Sequence, residues 1–282
     1  MTIIQNTIIE GKHEKPISTD IFYNATKQLK PIVIFAHGYK GFKDWGCWNL
    51  VADQFATNNF FFVKFNFSHN GGTAEEPIDF PDLEAFGNNN YTIELDDLQS
   101  VIDWVVDNED FVDEIDKSNI TLIGHSRGGG IAVLKASEDK RVTGLITWAA
   151  VSNFGERSAT IGDLEDWKKN GVKYVLNGRT KQQMPHYYQF YEDFKENENR
   201  LNIKKATKIL KIPYLIIHGT NDTSIPFEEA KLLHDWKPIS EILGIKEADH
   251  TFNAKHPWTE NYLPKHLQKV VTKSINFINN IL

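Results

Sequence analysis

The sequence predicts an α/β protein with a mostly parallel, doubly wound sheet and a helical insertion. Short, almost wholly apolar runs alternate along the chain with segments whose apolar residues recur at helical spacing. Several of these runs end in glycine or polar turn residues, which mark the points where strands leave a sheet. The length of 282 residues suits one large α/β domain or two small ones.

The N-terminal part of the chain supplies four predicted strands. Thr2–Ile9 and Ile17–Tyr23 contain short β-like pieces, and we expect them to form a hairpin at the edge of the sheet. Residues 32–36 and 61–67 are continuous apolar runs, a pattern typical of strands buried on both faces. Helices are predicted at residues 49–57 and 92–106, the second from the helical spacing of Ile93, Leu98, Val101, Ile102 and Val105.

The remaining chain continues the alternation around one long interruption. Strands are predicted at residues 119–124, 142–149, 212–218 and 241–247, and helices at 128–138, Phe227–Trp236 and about 261–282. Residues 152–208 break this rhythm, with helical patches such as 186–196 and no convincing strand. We therefore expect a core formed by residues 1–151 and 209–282, with residues 152–208 as a helical cap above the carboxyl ends of the strands, where open α/β sheets bind ligands.

Charge and cysteine content exclude several classes of function. The formal net charge of −7 argues against a basic surface for nucleic acid. The single cysteine, Cys47, allows no internal disulfide and no thiolate metal cage, and the histidines lack metal-binding helix spacing. The apolar runs are too short to cross a bilayer, and no basic segment followed by an apolar one opens the chain. We expect a cytoplasmic protein without metal, cofactor, nucleic-acid or membrane partner; the oligomeric state cannot be inferred.

The stretch Gly124-His125-Ser126-Arg127-Gly128 carries the first candidate for chemistry. It fits the pattern G-x-S-x-G between a predicted strand and a predicted helix, the context in which that pattern exposes a nucleophilic serine. The two glycines are expected because a tight turn leaves no room for side chains. The helix that follows points its first amides toward the serine, where they can stabilise negative charge. Ser126 is therefore the predicted nucleophile.

A nucleophilic serine needs a base, and the base needs an acid that orients it. Asp222 follows the predicted strand 212–218, and His250 follows the predicted strand 241–247, in the chain order expected for this turn. Both residues should reach the sheet edge that carries Ser126, because parallel strands end at the same edge. Asp249 is a competitor, but a carboxylate next to the histidine in sequence rarely reaches its ring. The histidines at positions 37, 125, 218 and 256 are predicted to be structural.

Stabilisation of a developing oxyanion requires two amide donors. The N–H of Arg127, directly after the serine, is one candidate. The other is the N–H of Tyr39 in the stretch His37-Gly38-Tyr39-Lys40-Gly41, which follows the first central strand. This stretch has the alternative interpretation of a simple glycine turn.

The motifs resemble those of the α/β-hydrolase superfamily. The resemblance rests on His37-Gly38, Gly124-His125-Ser126-Arg127-Gly128, His218-Gly219-Thr220-Asn221-Asp222 and Asp249-His250-Thr251-Phe252. Residues 41–45 and 65–71 resemble the dienelactone hydrolase and prolyl-oligopeptidase-like branch, near which bacterial carboxylesterases such as cinnamoyl and feruloyl esterases lie. The resemblance covers roughly residues 30–282 and implies a capped serine hydrolase of unspecified substrate. Arg127 departs from the glutamine often found after the serine in cinnamoyl esterases.

Three functions remain open. The preferred one is a carboxylesterase that cleaves a small-molecule ester through an acyl-enzyme. A prolyl-oligopeptidase-like peptidase or amidase would need a carboxylate anchor for a peptide amino terminus, for which Glu75-Glu76 and Glu228-Glu229 are candidates. A catalytically silent binding protein is the third. We predict that the cap supplies an apolar, aromatic-lined acyl pocket, although any one of its aromatic residues can instead belong to the cap's own packing face. These residues are Trp167, Tyr174, Tyr187, Tyr188, Phe190, Tyr191 and Phe194.

Overall fold

An eight-stranded, mostly parallel sheet forms the centre of the protein. The computed structural model describes residues 1–159 and 162–282. The sheet consists of β1 (Thr2–Ile9), β2 (Ile17–Tyr23), β3 (Lys30–Ala36), β4 (Phe61–Phe65), β5 (Ile115–His125), β6 (Val142–Trp148), β9 (Tyr214–Gly219) and β10 (Glu241–Ile245). Their order is β1-β2-β4-β3-β5-β6-β9-β10. At one edge β1 pairs antiparallel with β2, and β2 pairs antiparallel with β4. The six strands β4, β3, β5, β6, β9 and β10 are parallel to one another. The predicted fold class and edge hairpin are confirmed.

Helices cover both faces of this sheet. They are α1 (Trp48–Thr57), α2 (Leu83–Asn88), α3 (Tyr91–Asp107), α4 (Arg127–Glu138), α5 (Phe154–Ala159), α6 (Leu164–Asn170), α7 (Gln189–Glu196), α8 (Ile203–Ile209), α9 (Phe227–Trp236) and α10 (Lys265–Ile281), with a 3₁₀ turn at Glu109–Phe111. Strands β3 and β5 have buried side chains on both faces of the sheet, because α3 and α4 cover one face and α1 and α10 cover the other. In the described part of the chain, no helix has the length and apolar character needed to cross a membrane.

The insertion contains a hairpin that the sequence analysis missed. β7 (Val172–Leu176) and β8 (Gln183–Tyr187) form a separate two-stranded antiparallel sheet, so the prediction of a stretch without a strand was wrong. The predicted helical patch at 186–196 is shorter than expected, since His186 and Tyr187 belong to β8. An available signal was Asn177-Gly178, a common hairpin turn pair, directly after a run rich in valine and tyrosine.

Two lysines and two aspartates form a buried charge cluster beneath the loop that joins β3 to α1. Lys64 Nζ lies 2.5 Å from Asp20 Oδ2 and 2.6 Å from Asp44 Oδ1, and Lys43 Nζ lies 2.8 Å from Asp20 Oδ2. Asp20 and Lys64 are completely buried. The charges compensate each other in place of water, and they tie the loop containing Lys43 and Asp44 to β2 and β4.

We expect Asp20→Ala to lower the free energy of unfolding by about 3–5 kcal/mol, because it leaves two buried ammonium groups sharing one aspartate. Urea unfolding measures this change. Glu241→Ala is the matched control, since it breaks an exposed pair with Lys273 at 2.7 Å and should cost less than about 1 kcal/mol. Equal losses in the two variants would contradict the assignment of the cluster as a structural clamp.

Candidate active site

Ser126 lies on a sharp turn between β5 and α4. It has φ 56° and ψ −120°, a conformation that a non-glycine residue rarely adopts. The turn requires its flanking glycines: a Cβ on Gly124 would come within 2.2 Å of the carbonyl oxygen of Gly128, and one on Gly128 within 2.3 Å of that of His37. The surplus of glycine around Ser126 therefore allows close backbone packing, and the strain holds the serine at the carboxyl end of β5.

Asp222 and His250 reach Ser126 from the loops that follow β9 and β10. His250 Nδ1 lies 2.7 Å from Asp222 Oδ2, and His250 Nε2 lies 3.0 Å from Ser126 Oγ. Because the Asp222 carboxylate can only accept a hydrogen bond, the proton of a neutral His250 ring belongs on Nδ1, which faces it. His250 Nε2 is then free to accept the serine proton. The structure thus brings the three predicted residues into one hydrogen-bonded chain.

The carboxylate of Asp222 is held in its ionised form. Its Oδ1 accepts the N–H groups of Ser224 and Ile225, each at 2.8 Å. Burial alone would raise the pKa of Asp222, but hydrogen bonds from His218 and His250, together with the Ile225 amide, bring it well below the ordinary range. The stable negative charge can support a cation on His250.

His218 is a partner of Asp222 that the sequence analysis placed only among the structural histidines. Its ring is fully buried, with Nε2 lying 3.2 Å from Asp222 Oδ2 and 2.8 Å from the carbonyl oxygen of Ile225. The carbonyl is an acceptor only, so Nε2 carries a proton and can also point toward the carboxylate. His218 thereby fixes the orientation of Asp222. In the sequence, this role was indicated only by the position of His218 at the end of β9, four residues before Asp222.

Asp249 has a different role from Asp222. Its Oδ1 accepts the N–H groups of Thr251 at 3.0 Å and Asn253 at 2.7 Å, so it closes the local turn that presents His250. Among the competing histidines, His125 Nε2 lies 2.9 Å from the carbonyl oxygen of His250, and burial lowers the pKa of His125 to about 3. His37 is likewise buried, and its pKa is lowered to about 4. Both are neutral packing residues.

The two candidate amide donors lie beside the serine. Gly38 packs so closely that a Cβ on it would come within 2.8 Å of Ser126 Cβ, which places the next residue, Tyr39, at the nucleophile. Arg127 is the first residue of α4, where backbone N–H groups have no acceptor within the helix. Tyr39 and Arg127 line the same cavity as Ser126 and His250. Both residues therefore border the space in which a bound substrate would lie.

The Arg127 side chain makes an ion pair that was not predicted. Its Nη1 lies 3.1 Å from Glu94 Oε1, and its guanidinium carbon lies 4.4 Å from the ring centroid of Tyr39 and 5.3 Å from that of Tyr91. Glu94 also accepts from Asn89 Nδ2 at 2.8 Å. The pair braces the turn after Ser126 against α3. The sequence signal was that Glu94 is a carboxylate on the side of α3 that carries Leu98 and Val101, which indicates a buried charge but does not identify Arg127 as its partner.

His186 connects the hairpin of the insertion to the loop that carries Tyr39. The Tyr39 hydroxyl lies 2.8 Å from His186 Nε2, while His186 Nδ1 lies 3.2 Å from the carbonyl oxygen of Met184. Burial lowers the pKa of His186 to about 4, so Nδ1 donates to the carbonyl and Nε2 accepts from the tyrosine. His186 was not among the residues predicted from the sequence.

Two cavities meet at Ser126 and His250. The larger has a volume of about 380 Å³, and the smaller, of about 120 Å³, is bordered by Trp45 and Trp48. Residues of the insertion that line the larger cavity are Phe154, Arg157, Val175 and His186. The predicted aromatic residues do not line it: Trp167, Phe190 and Phe194 are buried in packing within the insertion and against α3, and Tyr174 is exposed. Trp167, Phe190 and Phe194 therefore belong to a packing face.

Cys47 lies outside this arrangement of reactive groups. It is buried directly before α1, in the apolar cluster that includes Trp48, and burial raises the pKa of its thiol to about 12. Since the thiolate is the reactive form, we expect Cys47→Ala to keep near-normal turnover. Single-turnover kinetics with an aryl ester test this, and loss of the chemical step itself would contradict it.

Comparison with known proteins places this geometry in a family. A family model described as BD-FAE matches residues 19–237, more than half of the chain. No curated protein matches the chain significantly.

Similar solved structures include three with related architectures. Est1E from Butyrivibrio proteoclasticus with ferulic acid bound has 16% identity and a TM-score of 0.73, over 97% of this chain and 98% of that one. An esterase domain from Rhodothermus marinus has 17% identity and a TM-score of 0.60, over 90% and 91%. Pyrococcus horikoshii acylaminoacyl peptidase has 14% identity and a TM-score of 0.67, over 100% of this chain and 42% of that one. The chain therefore belongs to the BD-FAE family and has the α/β-hydrolase fold.

Proposed function

We propose that the protein is a serine carboxylesterase that hydrolyses a small-molecule ester through an acyl-enzyme. The observation that carries this proposal is the chain of hydrogen-bond distances from Ser126 Oγ to His250 at 3.0 Å and from His250 to Asp222 at 2.7 Å, beside a cavity of substrate size. Est1E has been solved with ferulic acid bound, and carboxylic acids are the products that ester hydrolysis releases.

The proposed reaction begins when Ser126 Oγ attacks the ester carbonyl carbon and His250 Nε2 takes the serine proton. The N–H groups of Tyr39 and Arg127 donate to the oxygen that becomes negative. His250 then gives its proton to the departing alcohol, which leaves an acyl group on Ser126. A water molecule, deprotonated by His250, attacks the acyl carbon and releases the acid and free serine. Asp222 stabilises the His250 cation in both halves.

We further propose that residues 152–208 act as a cap on a core formed by residues 1–151 and 209–282. The support is positional: Arg157 from α5, Val175 from β7 and His186 from β8 border the cavity that contains Ser126. The 2.8 Å contact between His186 Nε2 and the Tyr39 hydroxyl connects this cap to the loop that carries Tyr39. Side chains of the cap are therefore in a position to select substrates.

The contacts of the acidic pairs weigh against a peptidase. Glu75 and Glu76 are exposed, as is Glu228, whose side chain is 71% accessible to solvent. Glu229 is nearly buried and already pairs with Arg157, while its Oε2 accepts the N–H of Ser152 at 2.6 Å. None of these four glutamates lines the cavity that contains Ser126, so none is placed to anchor a peptide amino terminus there.

A substrate screen and an active-site titration test the proposal together. We expect aryl and alkyl esters to be hydrolysed, aminoacyl amides to be poor substrates, and a fluorophosphonate to label one serine per chain. Preferential cleavage of the aminoacyl amides would favour the peptidase. A folded protein that neither binds the fluorophosphonate nor hydrolyses any ester would be a silent binding protein, and the proposal would fail.

A further inference from the structure

Lys40 has an unusual position beside the candidate catalytic residues. It directly follows Tyr39 and lines both cavities that meet at Ser126 and His250. Its backbone adopts φ 53°, a left-handed conformation that favours glycine, yet the residue is a lysine. A long cationic side chain is thus placed at the junction of the two cavities.

The larger cavity is lined by one lysine and two arginines, and both arginines are already paired. Arg127 pairs with Glu94 at 3.1 Å, and Arg157 pairs with Glu229. Lys40 makes no ion pair and no side-chain hydrogen bond with any residue that the structure describes; its Nζ lies 5.0 Å from the ring centroid of Tyr39. No aspartate or glutamate is among the described residues that border either cavity.

This arrangement leaves one positive charge without an ion-pair partner among the described residues that border the cavities containing Ser126 and His250. Partial burial lowers the pKa of Lys40, and the nearby Arg127 charge lowers it further, so the cation is held there against an unfavourable environment. An anionic ligand would offset both effects on Lys40, because it would replace the hydration lost by burial and counter the repulsion from Arg127. A carboxylate supplies one negative charge and matches the single unpaired cation, whereas a phosphate supplies almost two.

We propose that the substrate is an ester that also carries a carboxylate, which binds Lys40 while Ser126 attacks the ester carbonyl. This inference rests on the proposed esterase function. The walls of the larger cavity fit such a molecule, because Tyr91, Val151 and Phe154 contact apolar atoms while Lys40 and Ser126 hold the two polar ends. The carboxylate belongs to either the acyl or the alcohol part, since Lys40 borders both cavities.

Two matched substrate pairs test the proposal. The acyl arm compares the 4-nitrophenyl monoester of glutaric acid, whose free end is a carboxylate, with its neutral glutaramide counterpart. The alcohol arm compares 4-acetoxybenzoate with 4-acetoxybenzamide. In the wild-type protein we expect kcat/KM to favour the carboxylate by about 10- to 100-fold in one arm, the range for a hydrogen bond to a charged group, and that arm identifies the part of the substrate that binds Lys40.

The matched variants are Lys40→Met, which keeps the length but removes the charge, and Lys40→Arg, which keeps the charge. The readout is the ratio of kcat/KM within a pair, so a loss shared by both esters cancels. We expect Lys40→Met to abolish the preference and Lys40→Arg to retain most of it. The control is Lys140→Met, which should leave the ratio unchanged because Lys140 is exposed and lies before the amino end of β6, at the opposite end of the parallel strands from Ser126.

The outcomes separate this inference from the function on which it rests. If the wild-type protein hydrolyses none of the four esters, the esterase proposal fails. Equal hydrolysis within both pairs would overturn the carboxylate inference alone. A preference that survives in Lys40→Met would also overturn it, because another cation would then bind the carboxylate.

Discussion

Ser126→Ala should lower kcat by a factor on the order of 10⁴ or more while the protein stays folded. The substitution removes one oxygen atom, and that oxygen lies 3.0 Å from His250 Nε2. The side chain is otherwise accommodated, since alanine and serine meet the same strain at φ 56°. Turnover of an aryl ester, near-ultraviolet circular dichroism and fluorophosphonate labelling together check the expected result.

Ser68→Ala is the matched control for this experiment. Ser68 is also buried, and its Oγ lies 2.8 Å from the Nδ1 of an adjacent histidine, His69. It therefore reproduces the serine–histidine contact without the turn between β5 and α4. We expect Ser68→Ala to be labelled normally. Labelling that persisted in Ser126→Ala, or disappeared only in Ser68→Ala, would refute the assignment of the nucleophile.

The convergence of Ser126, Asp222 and His250 could be predicted because it depends on local patterns. Each residue follows an apolar run, and the carboxyl ends of parallel strands lie at one edge of a sheet. The turn at Ser126 is partly encoded locally, since Gly124 is required by a contact with Gly128 in the same turn, whereas Gly128 is required by the His37 carbonyl at the end of β3. Strand alternation and turn composition were sufficient for this part of the site.

The buried ion pairs around the site could not be predicted in the same way. Glu94 meets Arg127 across 33 positions of the chain, and Lys64 meets Asp20 across 44. Such contacts depend on how α3 packs on α4 and on which strands become neighbours, and neither is visible in the periodicity of one segment. The hairpin β7–β8 was missed because each strand has only five residues and β8, although its middle is buried, is built from Gln183-Met184-Pro185-His186-Tyr187, a run with little apolar pattern.

Asp222 should matter to stability as well as to turnover. Its ionised form is favoured in the folded protein, since the net effect of its hydrogen bonds holds its pKa well below the ordinary value. A depressed acid pKa stabilises the folded state above the pKa of the unfolded chain, about 4, and this contribution is lost as the pH falls toward the folded-state pKa. Asp222→Asn should therefore reduce Tm at neutral pH, and the difference from wild type should shrink in acid.

The catalytic consequence of Asp222→Asn should be a loss of roughly 10³–10⁴ in kcat. An asparagine amide has one acceptor oxygen, whereas Asp222 now accepts from His250 Nδ1 at 2.7 Å, from His218 Nε2 at 3.2 Å and from two backbone amides. Whichever way the amide turns, its NH₂ group faces a donor, so either His250 loses the tautomer that leaves Nε2 free or the loop after β9 loses its anchor. In either case the cation on His250 loses its counter-charge.

Asp249→Asn is the control that separates the two aspartates. Its side chain can still accept the Thr251 and Asn253 amides through the remaining oxygen, so we expect a loss of less than about tenfold in kcat. Both variants are compared at a pH and temperature where circular dichroism shows each to be folded. If Asp249→Asn proved the more damaging of the two, the acid that orients His250 would be Asp249, and the contacts of Asp222 with His218 and the Ser224 and Ile225 amides would serve only to shape the loop after β9.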